Sequence, residues 1–442
     1  MSDLSTSRRD FVKTLAAGAA GTALAIPSVS YGRIVGANER IRLGMIGVGQ
    51  ITRYHISGFQ REPDAEIVAL ADVYEPNLQR GAELAGGDVD TYTDFRRIIE
   101  RDDIDAVVVG TPNHWHALPT IRACAEGMDV YVEKPLAETI EEGRRVVEAA
   151  RANDRIVQLG TQQRASRHFQ EAVELVRDDA IGEVSFVRTW NVSNAYPDGI
   201  GTPDDTAPPE GLDWELWLGP APEHPFNPNR FGVFLDDEGE YETWATWRWF
   251  WDHGGGNMTD WGVHWLDIVH WAMDVEAPTT ISSMGNKYAV EDNRETPDTI
   301  QTTYEYPGFT CVYENRILND HGVDDHGNGI VFYGTKGTMY LSRAGFRIEP
   351  QPGSDVNELQ VDAHGTEPNH RRDFLDSVKS REKPKSTIEV GHRSSSAAVL
   401  GNVAYRTGRT IEWDAEAEEV TNHPDANQYV TADYRAPWSL EG

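Results

Sequence analysis

The sequence predicts an α/β protein in two parts: a doubly wound parallel sheet first, then an α+β domain on a mainly antiparallel, open sheet. Three observations carry this expectation. Short apolar runs alternate with helical stretches from Ile41 to about Leu159. A Gly-rich turn closes the first run, and an acid ends the second. Beyond residue 299, strand-like runs are joined by short turn signals, and short connections require antiparallel pairing.

Residues 1–37 read as an export signal and linker. Ser7-Arg8-Arg9-Asp10-Phe11-Val12-Lys13 precedes an uncharged, Ala/Gly-rich run from Thr14 to Ile26, followed by small residues suited to cleavage. That run falls short of the ~20 residues that span a bilayer. The pattern is a twin-arginine signal peptide, which predicts a periplasmic protein exported in the folded state.

Residues 38–158 form the first domain. The run Ile41–Ile46 ends on Gly47-Val48-Gly49-Gln50-Ile51-Thr52, a helix follows to about Gln60, and the run Glu66–Ala71 ends at Asp72. The span from Ile41 to Asp72 matches the ~30 residues of one βαβ unit. Further strands are expected at 106–109, 130–132 and 156–159, with helices at 77–85, 94–100, 116–126 and 139–152. Gly47 permits a tight turn, and Gly49 lets the backbone approach a pyrophosphate at a helix N-terminus. Thr52 stands where the dinucleotide fingerprint has its third glycine. Asp72 is placed to accept hydrogen bonds from the adenosine ribose. No Arg follows at Val73 or Tyr74, so a 2′-phosphate would meet an unpaired carboxylate, and NAD is expected over NADP.

The chain has 442 residues, 39% of them hydrophobic and 25% charged, enough for a large core and two or three domains. Forty basic against 72 acidic residues leave a net charge of −32, which argues against nucleic-acid and membrane-surface partners. A Lys-poor acidic surface fits a saline habitat or an acidic proteome equally. Cys124 and Cys311 lie in no metal or redox pattern and read as small buried hydrophobes.

Residues 159–442 form the second domain. Gly254-Gly255-Gly256 leads into a helix on which Asp260, His264, Asp267 and Trp271, spaced i, i+4, i+7 and i+11, share one face. In Asp260-x-x-x-His264, a carboxylate one turn from an imidazole can fix its tautomer and support an imidazolium. His264 and His270 diverge around the helix, so no metal is expected. Seven of the 13 tryptophans fall between Trp244 and Trp271, and such rings serve as core or as platforms for sugar faces. Strands are expected at 299–306, 309–315, 329–333, 338–342 and 346–349. The segments 196–211 and 221–241 read as long loops, over the cleft or at a subunit contact. Gln162 and Arg164 at the domain crossover are candidates for substrate hydroxyls, with hinge packing as the alternative, and His392 is a further pocket candidate. No Arg cluster marks a charged substrate, so a neutral sugar is the simplest expectation.

Gly47-Val48-Gly49, Thr111-Pro112-Asn113-His114-Trp115-His116 and Glu133-Lys134-Pro135 together resemble the Gfo/Idh/MocA oxidoreductases, over nearly the whole chain after residue 38. The resemblance implies a Rossmann domain and Lys134, His264 and Asp260 as catalytic residues. It also implies cofactor contacts from Gly47 to Ile51 and at Asp72, Thr111, Asn113, His116 and Glu133. A sugar or polyol is the implied substrate, with Gln162, Arg164, Asp267 and His392 toward it, and a homodimer or homotetramer is the implied assembly. In this scheme His264 takes the hydroxyl proton, Lys134 stabilises the alkoxide and Asp260 steadies the imidazolium. The leading expectation is an NAD-dependent sugar or polyol dehydrogenase. The alternative is a glycoside hydrolase or lyase that oxidises, eliminates and reduces in one redox-neutral cycle. A non-catalytic sugar sensor stands third, opposed by the retained Lys134, Asp260 and His264.

Overall fold

The computed structural model describes residues 40–234, 245–363 and 367–440; the twin-arginine segment lies outside them. Six strands form the first sheet: β1 (Ile41–Ile46), β2 (Ala65–Ala71), β3 (Asp90–Tyr92), β4 (Ala106–Val109), β5 (Asp129–Val132) and β6 (Val157–Leu159). Their order is β3-β2-β1-β4-β5-β6, with every pair parallel. Strands buried on both faces read as continuous apolar runs, as Ala106–Val109 does. The strand order reverses between β1 and β4, and the crevice at their carboxyl ends is where such sheets bind ligands.

The third-glycine substitution has a local compensation. Thr52 is fully buried, and a Cβ on Gly110, at the end of β4, would lie 2.2 Å from its hydroxyl oxygen. The close helix–strand approach is kept by placing the missing side chain on the strand instead.

The second sheet has ten strands: β7 (Val184–Val192), β8 (Thr280–Asn286), β9 (Thr299–Tyr306), β10 (Phe309–Arg316), β11 (Asn328–Gly334), β12 (Gly337–Ser342), β13 (Gly345–Pro350), β14 (Leu359–Asp362), β15 (Ile411–Asp414) and β16 (Glu419–Val420). The order is β14-β13-β12-β11-β7-β10-β9-β8-β15-β16, and only β7 and β10 run parallel. Burial alternates residue by residue along β10, the mark of a sheet with one covered face. Three helices cover it, Arg167–Arg177, Val263–Met273 and Ile388–Thr407, and Phe169, Trp265, Leu266 and Leu400 pack with Tyr304 and Tyr313 in one core.

The two parts are not cut cleanly in sequence. The helix Glu367–Ser380 returns to the first sheet, where Phe374 and Leu375 share a core with Leu43, Phe59 and Tyr131. The insertion after β7 also returns. Tyr74 and Leu212 form an antiparallel bridge, the Glu75 amide donates to Gly211 and the Asp213 amide to Val73. The insertion therefore hangs on the segment just beyond Asp72 and folds over the carboxyl edge of the parallel sheet. Among the described residues no helix is long and apolar enough to cross a membrane. Cys124 and Cys311 are both buried and unpaired, and burial pushes the Cys124 thiol up to about 12.

Candidate active site

At the strand-order reversal lies a cleft of about 900 Å³, counted to its open mouth. Its floor is Gly47, Gly49, Gln50, Ile51, Asp72 and Thr111, and its roof is Trp217, Phe231, Val233, Ala245 and Trp247 from the insertion. Gly47 has φ +77°, and a Cβ there would lie 2.8 Å from the Thr111 nitrogen, so only glycine fits the turn. Around Gly49 a Cβ would meet nothing within 4 Å, which leaves that stretch of backbone open to the cleft. The Gln50 side-chain oxygen accepts the Ala245 amide and ties floor to roof.

Asp72 stands on the cleft wall and accepts from the amides of Val48 (2.6 Å) and Tyr74 (2.9 Å). Burial raises its pKa to about 6, even though these two amides and Asn77 pull it down. Val48 thus acts through its backbone. Asn113, His116 and Glu133 stand behind the cleft instead of lining it. His116 is 1% exposed, with its ring nitrogens on the carbonyls of Pro135 (2.6 Å) and Thr111 (2.9 Å). It joins the turn after β5 to the turn after β4. Glu133 pairs with His55 at 2.9 Å, and a Cβ on Gly160 would lie 2.7 Å from its carboxylate.

Lys134 leaves the end of β5 and crosses to the second domain. Its ammonium donates to the backbone carbonyl and to Oδ1 of Asp260, both at 2.8 Å. The other carboxylate oxygen of Asp260 faces Arg248 Nε at 3.4 Å. Arg248 also lines the cleft, and its guanidinium donates to the Ala245 carbonyl. Burial would raise the Asp260 pKa, but Arg248 and Lys134 together bring it to about 2. The carboxylate is ionised at neutral pH and sits between two cations.

The expected Asp260–His264 contact is not formed. Residues Met258–Gly262 wind as a π-turn, and the α-helix begins only at Val263. A π-turn carries more residues per turn than an α-helix, so an i,i+4 spacing no longer stacks two side chains on one face. The start of the turn is tied to β10 through Asn257. Tyr313 donates its hydroxyl to the Asn257 carbonyl (2.7 Å), and Asn257 donates to the Asn315 side chain (2.9 Å). Asp260 therefore holds Lys134. His264 is 4% exposed, and its Nδ1 has no hydrogen-bond partner among the described residues. Burial, with the charges of Lys134 and Arg343, drives its pKa well below the ordinary value and keeps the imidazole neutral.

Three further expected substrate contacts lie elsewhere. Arg164 Nε donates to Asp267 Oδ2 at 2.7 Å and its Nη2 to the Asp267 carbonyl, in a pair whose side chains are 7% and 0% exposed. The two form a buried ion pair inside the domain, so hinge packing accounts for Arg164. His392 bonds Glu418 at 2.7 Å beside Gly143 of the helix Ile140–Ala152 and does not line the cleft. Gln162 lies beside Glu133, Tyr54 and His370, next to the Lys134 turn. Sequence reasoning missed Arg248 and Trp217. Arg248 had one available signal, its place inside the Trp-rich run Trp247–Trp251.

Residues 41–161 match a family described as oxidoreductase family, NAD-binding Rossmann fold, and residues 198–440 match its C-terminal alpha/beta domain. Inositol 2-dehydrogenase of Klebsiella pneumoniae subsp. pneumoniae is 33% identical over 150 residues, 34% of this chain and 44% of that protein. A glycosyl hydrolase family 109 protein of Shewanella sp. is 28% identical over 165 residues, 35% of each chain. The chain thus spans less than half the length of these curated relatives. The solved aldose-aldose oxidoreductase of Caulobacter crescentus, complexed with glycerol, has a TM-score of 0.62 at 21% identity, covering 84% of this chain and 99% of that one.

Proposed function

The chain belongs to the Gfo/Idh/MocA oxidoreductase family, and from that premise we propose that it oxidises or reduces a hydroxyl-bearing carbon of a sugar or polyol, using NAD. The observation that carries this reading is the junction of Lys134, Asp260 and Arg248. It joins a cleft shaped for a dinucleotide to a neutral, buried imidazole.

The residues present fit NAD. Gly49 leaves backbone open to the cleft where a pyrophosphate would approach. Asp72 stands on the wall to accept from ribose hydroxyls, and the insertion covers the space beyond it where a 2′-phosphate would need a cation. When bound, NAD supplies the hydride acceptor and donor. The chain supplies the proton chemistry and the field. His264, neutral because burial and neighbouring cations disfavour its charged form, takes the hydroxyl proton on its ring. Lys134, held by two oxygens of Asp260, faces the oxygen on which negative charge develops. Arg248 keeps Asp260 ionised and in place.

A redox-neutral cycle on a glycoside is the second reading. It is favoured by the roof: Trp217, Phe231, Val233, Ala245 and Trp247 enclose the cleft from the chain's own insertion. An enclosed cofactor suits a cycle that ends in its starting redox state. Periplasmic export rests on the Arg8-Arg9 segment, and homo-oligomerisation on the exposed sheet face bearing Phe186 and Met284.

The test is anaerobic mixing of cofactor-loaded enzyme with sugars, polyols and glycosides, following reduced-nicotinamide absorbance and product mass together. Bound NADH beside a substrate two hydrogens lighter supports the dehydrogenase. Cleaved glycosides without lasting NADH support the cycle. Neither change, with any substrate, removes both.

A further inference from the structure

Part of the roof over the cofactor cleft is a helix too short to hold its own place. Trp214–Leu218 spans five residues, little more than one turn, and Leu216 and Trp217 from it line the cleft. The neighbours of this helix therefore fix where those two side chains stand. On one side the neighbour is the first domain. The Trp115 indole donates to the Trp217 carbonyl (2.9 Å), and His114 Nε2 lies 2.9 Å from the same oxygen. The seat is close, because a Cβ on Gly219 would strike the Trp115 ring.

On the other side residues 432–440 close over the helix end. The Arg435 amide donates to the Pro220 carbonyl (2.9 Å). Its guanidinium donates to the carbonyls of Ala221 (3.0 Å), Gly219 (3.0 Å) and Glu215 (3.4 Å) and to the Glu215 carboxylate. One side chain thus gathers the carbonyls at and just past the end of the helix, where backbone acceptors lack intrahelical partners. Trp438 lies edge-to-face on Trp115 at 4.8 Å, with the guanidinium carbons of Arg96 and Arg122 5.3 and 5.8 Å from its ring centroid. Trp115 also lines the cleft. The segment is anchored where it begins. The Ala432 amide donates to Glu141 (2.9 Å) and the Tyr434 hydroxyl to Glu142 (2.5 Å), both in the first turn of the helix Ile140–Ala152.

We propose that residues 432–440 form a strap that holds the roof in position and thereby sets how fast NAD leaves, with Arg435 and Trp438 as its positioning residues. Neither lines the cleft. Arg435 acts through Leu216 and Trp217, and Trp438 acts through Trp115. A cofactor seated between floor and roof keeps its roof contacts only while these three stay in place. The Arg435–Glu215 pair is 20% and 70% exposed, so as an ion pair it adds little to global stability. Its effect falls on the roof, a local element that can open without unfolding either sheet. The proposal rests on NAD as the occupant of the cleft and not on the substrate.

The test is displacement of NAD from the loaded full-length protein by excess etheno-NAD, a fluorescent analogue, followed by stopped-flow fluorescence. R435A and W438A are each expected to speed release roughly tenfold or more, because truncated Trp and Arg anchors act mainly on dissociation. R435K and W438F are expected to recover part of the loss. The denaturation midpoint of cofactor-free R435A is expected to match that of the wild type. Unchanged release in both alanine variants overturns the proposal. So does faster release that follows a falling denaturation midpoint through all four variants, because the segment is then a general structural tie. No substrate enters the measurement, so its failure leaves the oxidoreductase reading standing, and a protein that turns over no sugar still reports cofactor release.

Discussion

Two ion pairs flank the start of one helix and share the same chemistry, a cation from another element on an aspartate. Lys134–Asp260 keeps 16% and 12% of its side chains exposed; Arg164–Asp267 keeps 7% and 0%. The first touches a third charged partner, Arg248, that lines the cofactor cleft. The second is buried away from that cleft, with the indole of Trp271 4.9 Å from the guanidinium. Residue type and helical spacing do not separate the pair proposed to act in catalysis from the structural one. Access to the cleft does.

That contrast can be broken most forcefully at Asp267. D267N leaves the Arg164 guanidinium buried without a counter-ion, and the expected cost is about 3–5 kcal/mol of stability, read as a fall in chemical-denaturation midpoint. Replacing both partners, as in R164M/D267L, is expected to return stability to within about 1.5 kcal/mol of wild type. If the double variant is as unstable as the single one, the pair has a role beyond mutual neutralisation.

Asp260 sharpens the other side. D260N keeps the backbone acceptor for Lys134 but removes the charge, so turnover is expected to fall by about 10²-fold, with a smaller stability loss than D267N. Steady-state rates and denaturation on one preparation give the split. A stability loss equal to that of D267N, with turnover retained, would place Asp260 with the structural pairs.

The smallest expected effect concerns pH. Asp72 is raised to about 6 by burial, so in the cofactor-free protein its ionised form is disfavoured. Its contribution to stability is full below the ordinary value of 3.8 and is lost as pH rises through 6. NAD needs the ionised form as a hydrogen-bond acceptor. Its affinity should be level above pH 7 and weaken toward tenfold per pH unit below 6, measured by fluorescence titration. A flat profile would detach Asp72 from the ribose.

The comparison also marks where sequence patterns stop informing. The first domain was legible because strands buried on both faces alternate with amphipathic helices, and Gly47 and Gly49 sit where the turn needs them. The helix Ile388–Thr407 was not, because it is buried nearly all round through small residues such as Gly391, Ser395 and Gly401 and so shows no apolar stripe. β7 was missed for a related reason. It lies at the centre of its sheet, and Trp190, Asn191 and Val192 are buried in succession instead of alternating. In the site, Lys134, Asp260 and His264 were named from the sequence, but their partners were not. The π-turn at Met258–Gly262 moved Asp260 from His264 to Lys134, and spacing counted at 3.6 residues per turn does not register it. Arg248 reaches the site across the fold, and its place inside a Trp-rich run is the only local hint of it.

Lys134 tests the central claim most directly, because its ammonium joins the parallel sheet to the helix that carries His264. The measurement is rapid anaerobic mixing of NAD-loaded K134A with a substrate of the wild-type enzyme, monitored by nicotinamide absorbance, with bound NAD quantified in the same sample. The account predicts wild-type occupancy of the cofactor and a rate lowered by about 10³-fold or more. A rate within threefold of wild type at equal occupancy would contradict it.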